Sequence, residues 1–510
     1  MPDPKRVNSP EKFDRRAKIQ RRLGRNPDED EDTASSARES ASRLRKRKCA
    51  LLIGYCGSGY RGLRFQYDGT STIESTLFGA LVRAGAISED NADDPEKVNF
   101  SRASRTDAGV HAAGNIVSLK MITEVPGVPD MTARINEELP PEIRLWEYIR
   151  VQNSFNPRTL CDSRKYTYFF PSYLLLPPKP TSGLYRVLTE HAASLSLPSP
   201  IQGHSFWADA GAGDGVKSPS IAPSEEEVHS TDIQRKRAWR IGTTQMEQLR
   251  TAAQKYINTH NFHNFTLNGA FTERSCMRNI KDIVIADPVV YDETEWISVM
   301  FHGQSFMMHQ RKMISALVLA CRTGTPPELI DALYGPDAVI VPKMPALGLL
   351  LEQPIFDSYN TKLAAANAKP LPPGHTPMDF RPPIDFSAHR EKIEAFKARY
   401  IYDNMRMVEE RDGLFDAWMR MVDAYAGTDL LYLNPKGTIP PAAVMKNNDR
   451  NSWGREGAFV EAKRFDATSF SVPGQVGGVA GGQEVREKGE GEGERTGNWR
   501  EGRLSTSIQQ

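Results

Sequence analysis

The sequence has few cysteines and no long hydrophobic run. It contains 5 cysteines in 510 residues, with no CxxC pair and no histidine at the spacing of a zinc site. This pattern excludes a disulfide-rich secreted protein and predicts reduced thiols. The longest apolar stretch is MISALVLAC at residues 313–321, shorter than the roughly 18 residues of a membrane span. Because the N-terminus also lacks a secretory hydrophobic region, we expect a soluble intracellular protein with no membrane partner.

The sequence also lacks a net charge of either sign. Its 65 lysines and arginines balance 64 acidic residues, for a formal net charge of +1, so only local clusters can attract a polyanion. One such cluster is RLRKRK at residues 43–48, which indicates a phosphate contact, a nuclear import signal or a solvated junction. We expect a nuclear protein, with the cytoplasm and the mitochondrion as alternatives, although no Arg-rich, acid-poor presequence is present.

Both ends of the chain are predicted to be disordered, because they hold almost no large apolar side chains. Between them, strand patterns alternate with single helices before and after a Pro-, Gly- and Ser-rich stretch, which indicates an α+β fold of two similar halves. The predicted segments are a disordered basic tail (1–48), an N-terminal α/β half (49–174), a flexible insertion (175–240), a C-terminal α/β half (241–360), a helical extension (361–430) and a largely disordered tail (431–510).

A glycine-rich stretch follows the first strand-like run. Gly57, Gly59 and Gly62 have the GxGxxG spacing of a dinucleotide site, which requires a helix to begin at the glycines. The helix signal comes about nine residues later, where Ser71 and Glu74 form the pattern of a capping box before an apolar periodic run. The sequence context therefore disfavours a nucleotide-dependent oxidoreductase.

The stretch SRTDAGVHA, residues 104–112, places an aspartate at a turn between two apolar runs. An aspartate followed two residues later by a glycine, as at Asp107 and Gly109, favours a tight turn. Arg105 could pair with the carboxylate for structural reasons alone. The functional alternative is a nucleophile, because a nearby guanidinium keeps a displayed carboxylate ionised and only the anion attacks an electrophile.

Two further stretches combine cations with apolar residues. In SRKYTYFF, the alternation of a strand puts Tyr166, Tyr168 and Arg164 on one face, which fits either a core or a platform for stacking single-stranded bases. In GQSFMMHQRKMI, Arg311 and Lys312 stand at the predicted start of a buried helix, where the helix dipole disfavours cations. An RNA phosphate or a carboxylate such as Asp107 could compensate them.

These motifs and their order resemble the tRNA pseudouridine synthases of the TruA type. The resemblance covers about residues 49–360 and is carried by GYCGSGYRG, TIESTLFGAL, RTDAGVHAAGNIVSL, SRKYTY, HNFHNFT, FMMHQRKMI and ALGLLLE. The extended helical region and the tails are most similar to the eukaryotic branch, which acts on nuclear-encoded tRNA. The resemblance implies a pseudouridine synthase fold, in which two α/β halves with antiparallel sheets join around a basic cleft.

The resemblance also implies a chemistry without cofactor or metal. Asp107 would attack the ribose or the base of a target uridine, the C1′–N1 bond would break, and the uracil would rotate and rejoin through C5. Arg105 would help to extrude the nucleotide, Tyr166 would stack on the uracil, Arg311 would pair with Asp107 and Leu349 would line the pocket. The implied substrate is tRNA, with other structured small RNAs as a further candidate.

The sequence departs from the family pattern in two places. The eukaryotic members have an apolar residue between the His-Gln pair and the arginine, whereas here Arg311 follows Gln310 directly. Deleting one helical residue turns everything beyond it by about 100°. The glycine run also continues as Leu63-Arg64, where the family has Met-Gln or Trp-Gln. The alternative function is therefore an RNA-binding homologue of the same fold with impaired catalysis.

Overall fold

The computed structural model describes residues 44–199, 201, 205–208, 225–266, 269–369 and 381–445, with side chains from residue 231 in the helix that begins at 225. The predicted disordered tails, 1–48 and 431–510, lie outside this described part of the chain except at 44–48 and 431–445. There the prediction is wrong, because residues 46–48 open the first strand and Leu431, Tyr432 and Leu433 are buried. Every element below belongs to the compact unit that begins at Lys46. No helix in these ranges has the length and apolar character needed to cross a membrane.

A mixed ten-stranded sheet forms the centre of the described structure. Its strands are β1 (Lys46–Tyr55), β2 (Ser101–Arg102), β3 (His111–Ile122), β4 (Ile143–Arg150), β5 (Ser163–Pro171), β6 (Asn258–Asn261), β7 (Met277–Ile285), β8 (Val289–Tyr291), β9 (Thr294–Gly303) and β10 (Leu349–Ile355). The order across the sheet is β4-β1-β3-β10-β5-β9-β7-β6, while β2 pairs with β3 and β8 with β9.

The predicted α+β class is confirmed, and the sheet runs through both predicted halves without a break. Most neighbours are antiparallel, as expected, but β10 lies parallel to β3, with Leu350 opposite His111. On its other edge β10 pairs antiparallel with β5, so that Leu349 lies opposite Tyr168. The late strand β10 therefore joins the early strands β3 and β5 into one surface.

Helices cover both faces of the sheet. They are α1 (Ile73–Arg83), α2 (Met131–Glu138), α3 (Gly183–Ser194), α4 (Ser205–Ala208), α5 (Glu225–Ala238), α6 (Thr243–Gln254), α7 (Lys312–Thr323), α8 (Glu328–Ala332), α9 (Asp357–Asn367), α10 (Arg390–Phe396), α11 (Asp403–Asp412) and α12 (Leu414–Ala424). A turn of π-helix, Lys397–Tyr402, connects α10 to α11.

The side chains of β1 show how the two faces are built. Leu51 and Ile53 belong to the hydrophobic cluster that α1 and α2 cover, whereas Ala50 and Leu52 belong to the larger cluster on the opposite face. Successive side chains of a strand point to opposite faces, so a strand covered on both sides is apolar throughout. This explains why the first strand appears in the sequence as a continuous apolar run.

The cap of α1 differs from the prediction by one residue. Thr72, not Ser71, is the N-cap, and its hydroxyl accepts from the Ser75 amide at 3.1 Å while the Ser75 hydroxyl accepts from the Thr72 amide. Glu74 instead lies buried at the start of the helix and forms an ion pair with Arg102. The sequence contains two overlapping capping-box patterns, Ser71 with Glu74 and Thr72 with Ser75. Because Glu74 is engaged by Arg102, the second pattern forms the cap.

The prediction of a flexible insertion at 175–240 is wrong for its described helices. In α3, Leu184, Leu188 and Ala192 are buried at a helical spacing of four residues. In α5, the buried Lys236 forms an ion pair with Asp416 of α12 at 2.9 Å. Prolines and serines around α3 hide this periodicity, so composition alone indicates a loop where tertiary packing stabilises a helix.

The C-terminal helices α9 to α12, between residues 357 and 424, pack on the sheet. Trp418 of α12 is fully buried, and its indole nitrogen donates to the Lys343 carbonyl at 2.9 Å. Phe396 of α10 packs edge-to-face on Trp146 of β4, with ring centroids 5.3 Å apart. These helices therefore complete the hydrophobic core on the larger face of the sheet.

The basic run at residues 43–48 is partly structural. Its last three residues open β1, and the ammonium group of the buried Lys48 donates to the Asn99 carbonyl at 2.9 Å. Burial is the main cause that lowers the pKa of Lys48, and the charge of Lys120 adds to it. The nuclear location inferred from this run stays a prediction.

Candidate active site

A cavity of about 840 Å³ opens over the middle of the sheet. Its wall includes Tyr166 and Tyr168 of β5, Phe301 of β9 and Leu349 of β10. All five residues that the sequence singled out for the site line this one cavity: Arg105, Asp107, Tyr166, Arg311 and Leu349. Residues separated by more than 200 positions in the chain are thus brought to a common volume because β10 and β9 flank β5.

Asp107 stands on the tight turn that leads into β3. The Val110 amide donates to the Asp107 carbonyl at 3.2 Å, and Gly109 has a φ of 74°, which glycine adopts without strain. The carboxylate is partly exposed to the cavity. Within the described ranges it accepts no hydrogen bond and forms no ion pair, so its oxygens are available to a ligand.

A buried hydrogen-bond network holds the turn from below. The Tyr55 hydroxyl and the Thr106 hydroxyl share a hydrogen bond of 2.9 Å, and the Asn115 amide donates both to Tyr55 at 3.3 Å and to the Ser104 carbonyl at 3.1 Å. Burial raises the pKa of Tyr55 well above its usual range, so the phenol stays neutral and can donate. Neutral buried partners that are fully hydrogen-bonded give a rigid base for the turn.

Arg164 clamps the turn from the side. Its guanidinium donates to the Ser104 hydroxyl at 2.9 Å, to the Ala103 carbonyl at 2.9 Å and to the Gln304 carbonyl at 3.1 Å. The side chain is 9% exposed, and all its described bonds go to the protein. The alternative in which Arg164 stacks on a base is therefore wrong, and its role is to join the loop before β3 to the loop after β9.

The glycine-rich stretch packs against the same turn and has no helix at its end. A Cβ at Gly57 would lie 2.1 Å from the Val110 carbonyl oxygen, and one at Gly62 would lie 2.9 Å from the Thr106 carbonyl oxygen. The Leu63 amide also donates to the Thr106 carbonyl at 3.2 Å. The GxGxxG spacing therefore reflects close packing on the Asp107 turn, and the dinucleotide interpretation is wrong.

His111 links three segments of the site. Its Nδ1 accepts from the Gly57 amide at 3.1 Å, so the Nε2–H donates to the Leu347 carbonyl at 3.0 Å. Burial lowers the pKa of His111 to about 4, and the ring is neutral at physiological pH. The histidine was not among the predicted site residues, since a lone histidine in an apolar run carries no distinctive signal.

The aromatic strand face divides between core and cavity. Phe170 is fully buried in the core and Tyr168 is fully buried at the cavity wall, whereas Tyr166 is half-buried at that wall and packs edge-to-face on Phe306 with centroids 4.9 Å apart. Burial raises the pKa of Tyr166 to about 12, with the Asp107 charge acting in the same direction and Arg164 opposing it. The phenol is therefore neutral, and its ring is available for contact with a ligand.

Several arginines gather around Arg105, two residues before Asp107. Partial shielding from solvent lowers the pKa of Arg105, and the charges of Arg64, Arg158 and Arg102 lower it further. Arg102 is compensated by Glu74, but Arg64, Arg105 and Arg158 are exposed. These three residues are called the arginine group below. The role of Arg105 as a counter-ion of Asp107 stays a prediction, and Arg158 was missed because nothing in its local sequence distinguishes it.

Arg311 reaches the cavity despite the missing residue before it. His309 has a φ of 63°, and the turn is bracketed by Gln310, whose side-chain oxygen accepts from the Met307 amide at 2.6 Å. This turn offsets the shortened loop, so that Arg311 lies at the N-cap of α7, 4% exposed, on the cavity wall. Both Arg311 and Asp107 lie in the described part of the chain and line the cavity, but the structure shows no ion pair between these two side chains, and their pairing stays a prediction.

Comparison with known proteins identifies one family. The family described as tRNA pseudouridine synthase matches residues 252–357. The Candida glabrata protein named tRNA pseudouridine synthase 1 is 40% identical over 433 residues, which cover 80% of this chain and 75% of that protein. Its namesake from Saccharomyces cerevisiae is 39% identical, covering 75% of this chain and 72% of that protein. The S. cerevisiae tRNA pseudouridine(27/28) synthase is 37% identical over 330 residues, which cover 61% of this chain and 85% of that protein.

Proposed function

Because the chain belongs to the tRNA pseudouridine synthase family, we propose that Asp107 is the nucleophile with which it converts uridine in tRNA to pseudouridine. One observation carries this assignment. Asp107 presents a carboxylate on a rigid turn to a cavity of about 840 Å³, and its oxygens have no partner in the described structure. A carboxylate can serve as a covalent nucleophile when it is displayed in this way.

The isomerisation moves one glycosidic bond and conserves all heavy atoms. The C1′–N1 bond of the uridine breaks and a C1′–C5 bond forms, while C5 loses a hydrogen and N1 gains one. Asp107 attacks the ribose or the base to start this exchange and leaves when the new bond has formed. The enclosing cavity keeps the detached uracil near the ribose, which converts its return into an intramolecular step.

The target nucleotide has to leave its helix to reach Asp107. Extrusion costs a few kcal/mol and is easiest at a weakly stacked base. The half-buried ring of Tyr166 offers an aromatic face beside Asp107 on which the extruded uracil can stack. The arginine group offers cations beside the opening for the phosphates that flank the nucleotide.

Replacing Tyr166 with alanine is expected to lower kcat/KM for pseudouridine formation, because stacking one base on an aromatic ring contributes about 1–3 kcal/mol. Replacement with phenylalanine is expected to retain most of the rate, since the phenol is neutral and stacking needs only the ring. The measurement is the initial rate of tritium release from tRNA labelled at C5 of uridine. If the alanine variant reacts at the wild-type rate, the role of Tyr166 is purely structural.

Replacing Arg158 with glutamine is expected to weaken tRNA binding and to reduce the slope of log K against log salt by about one. The physical reason is the loss of one phosphate contact and of the counterions that it releases. Equilibrium binding between low and moderate salt measures this slope. Arg186 of α3 is also exposed but does not line the cavity, so Arg186→Gln is the matched control, and equal slopes for both variants would contradict the assignment.

Tritium release by the purified protein separates the enzyme from the alternative of an impaired RNA-binding homologue. Release from tRNA labelled at C5 is expected, because the comparisons and the position of Arg311 both favour an active enzyme. Binding without release would support the alternative, and insertion of an apolar residue after Gln310 would then test whether the shortened loop is the cause.

We also propose other structured small RNAs as substrates and the nucleus as the location, which pseudouridine mapping and localisation in cells can test.

A further inference from the structure

Two methionines at the cavity are unusually exposed. Met308 is 54% exposed and Met277 is 44% exposed, and both line the cavity that contains Asp107. Other large apolar side chains of the same wall, such as Phe301 and Ile314, are buried. Exposed apolar surface that lines a binding groove marks an interaction site, whereas single scattered apolar side chains do not. Met277 and Met308 are called the methionine rim below.

The backbone beneath the methionine rim is fixed. The Thr266 hydroxyl donates to the Met308 carbonyl at 3.0 Å, and the next residue, His309, adopts its left-handed conformation. Met277 is held by the sheet, where it lies opposite Asn261 of β6. The exposure of these side chains is therefore a consequence of where the backbone places them and not of a loose loop.

The methionine rim and the Asp107 turn are attached to different strands of the sheet beneath the cavity. Met308 follows β9 and Met277 opens β7, whereas the turn leads into β3. The strand order places β10 and β5 between β3 and β9. A nucleotide entering the cavity therefore meets Asp107 on the β3 side of the sheet and the methionine rim on the side of β9 and β7.

We propose that the methionine rim packs against the bases next to the target uridine, and that Met308 enters the gap that the extruded uridine leaves in the base stack. This inference rests on the proposed function and deepens it. Apolar side chains such as methionine are inserted between base steps by proteins that distort nucleic acids. The flexible, polarisable methionine side chain suits a gap whose shape varies from one sequence to another.

The observations favour RNA bases over a second protein copy as the occupant. The rim is continuous with the cavity of the catalytic carboxylate, and the exposed Arg64, Arg105 and Arg158 stand at that same cavity or beside it. Two methionine side chains are also far smaller than the roughly 800 Å² that each partner buries in a stable protein interface. An RNA strand has phosphates that suit the arginine group and apolar base faces that suit the methionine rim.

The test compares one target uridine in two structural contexts. A tRNA transcript carries tritium at C5 of a uridine that mapping has shown to be modified, and a second transcript has the opposite strand altered so that this uridine is unpaired. In single-turnover reactions, Met308→Ala is expected to lower the paired-to-unpaired rate ratio about tenfold, which corresponds to 1.36 kcal/mol. Met308→Leu is expected to restore most of the ratio.

Two controls separate this role from a structural one. Val290 of β8 is 47% exposed and lies outside the cavity, so Val290→Ala is expected to leave the ratio and the melting temperature unchanged. In the Asp107→Asn protein, 2-aminopurine placed next to the target uridine is expected to brighten on binding. Adding Met308→Ala is expected to diminish that increase, because fewer target nucleotides are extruded.

An unchanged ratio for Met308→Ala would overturn the inference, as would an equal loss on both transcripts together with a lower melting temperature. A concentration-dependent molecular mass that Met308→Ala abolishes, with unchanged kinetics, would assign the rim to a second copy and overturn it as well. The proposed function is tested separately, because it fails if the wild-type protein binds tRNA without releasing tritium or if Asp107→Asn remains active.

Discussion

Replacing Asp107 with asparagine is expected to abolish tritium release from tRNA labelled at C5 of uridine, with a loss on the order of 10⁴-fold or more, as for other nucleophiles. The amide has nearly the same shape as the carboxylate but no anionic oxygen to form a bond. Affinity for tRNA is expected to persist, since the change removes a negative charge beside the arginine group. Single-turnover release and equilibrium binding measure the two effects independently.

A second aspartate provides the control for this prediction. Asp287 is exposed, forms an ion pair with Arg250 at 2.6 Å, and does not line the cavity. Asp287→Asn is therefore expected to release tritium at the wild-type rate. Substantial release by the Asp107 variant would contradict the assignment of the nucleophile, and loss of tRNA binding by that variant would indicate that Asp107 supports the fold of the cavity instead.

Replacing Gly62 with alanine is expected to lower the single-turnover rate about 10²-fold, the loss that a displacement of about 1 Å in a reacting group can cause. The new Cβ would lie 2.9 Å from the Thr106 carbonyl oxygen and 3.2 Å from the carbonyl carbon of Asp107. Because these are backbone atoms, the Asp107 turn has to shift. The rate of tritium release and the melting temperature are measured together.

Gly69 allows the effect of contact to be separated from the effect of backbone strain. Gly69 has a φ of 81°, close to the 91° of Gly62, but its Cβ would meet no atom within 4 Å. Both alanine variants share the cost of a left-handed conformation, about 1–2 kcal/mol. Gly69→Ala is therefore expected to lose stability and keep its rate, and equal rates for the two variants would mean that the glycine loop does not position Asp107.

The Asp107 turn was predictable because its determinants are local. A carboxylate, a glycine two residues later and flanking apolar runs specify a displayed turn whatever the surrounding fold is. The strand that carries Tyr166 and the buried helix α7 were predictable for the same reason, since both show a clear periodicity. The position of each in the site then followed from the family resemblance, not from spacing.

The features that the sequence could not reveal depend on contacts between distant segments. The charges of Arg64 and Arg158 each lower the pKa of Arg105 through space, although these two residues are far from one another in the chain. The glycines at 57 and 62 look like a nucleotide loop until the turn against which they pack is known. Arg164 resembles a base-stacking residue until its bonds to Ala103 and Gln304 are seen.

The order of strands was similarly hidden. Local patterns predict that β10 exists, but nothing in its seven residues specifies that it inserts between β3 and β5, parallel to one and antiparallel to the other. That insertion creates the cavity floor by placing Leu349 opposite Tyr168. Pairing between strands nearly 240 residues apart is a property of the whole fold.

The central claim is that the Asp107 carboxylate attacks a nucleoside drawn out of its helix, and the structure of the Asp107→Asn protein bound to a substrate tRNA tests it most directly. We expect the target uridine inside the cavity, its ring against Tyr166 and its reacting carbon about 3–3.5 Å from the side chain at position 107, the separation of a near-attack geometry. A target uridine still stacked in its helix, or tRNA bound away from this cavity, would contradict the account.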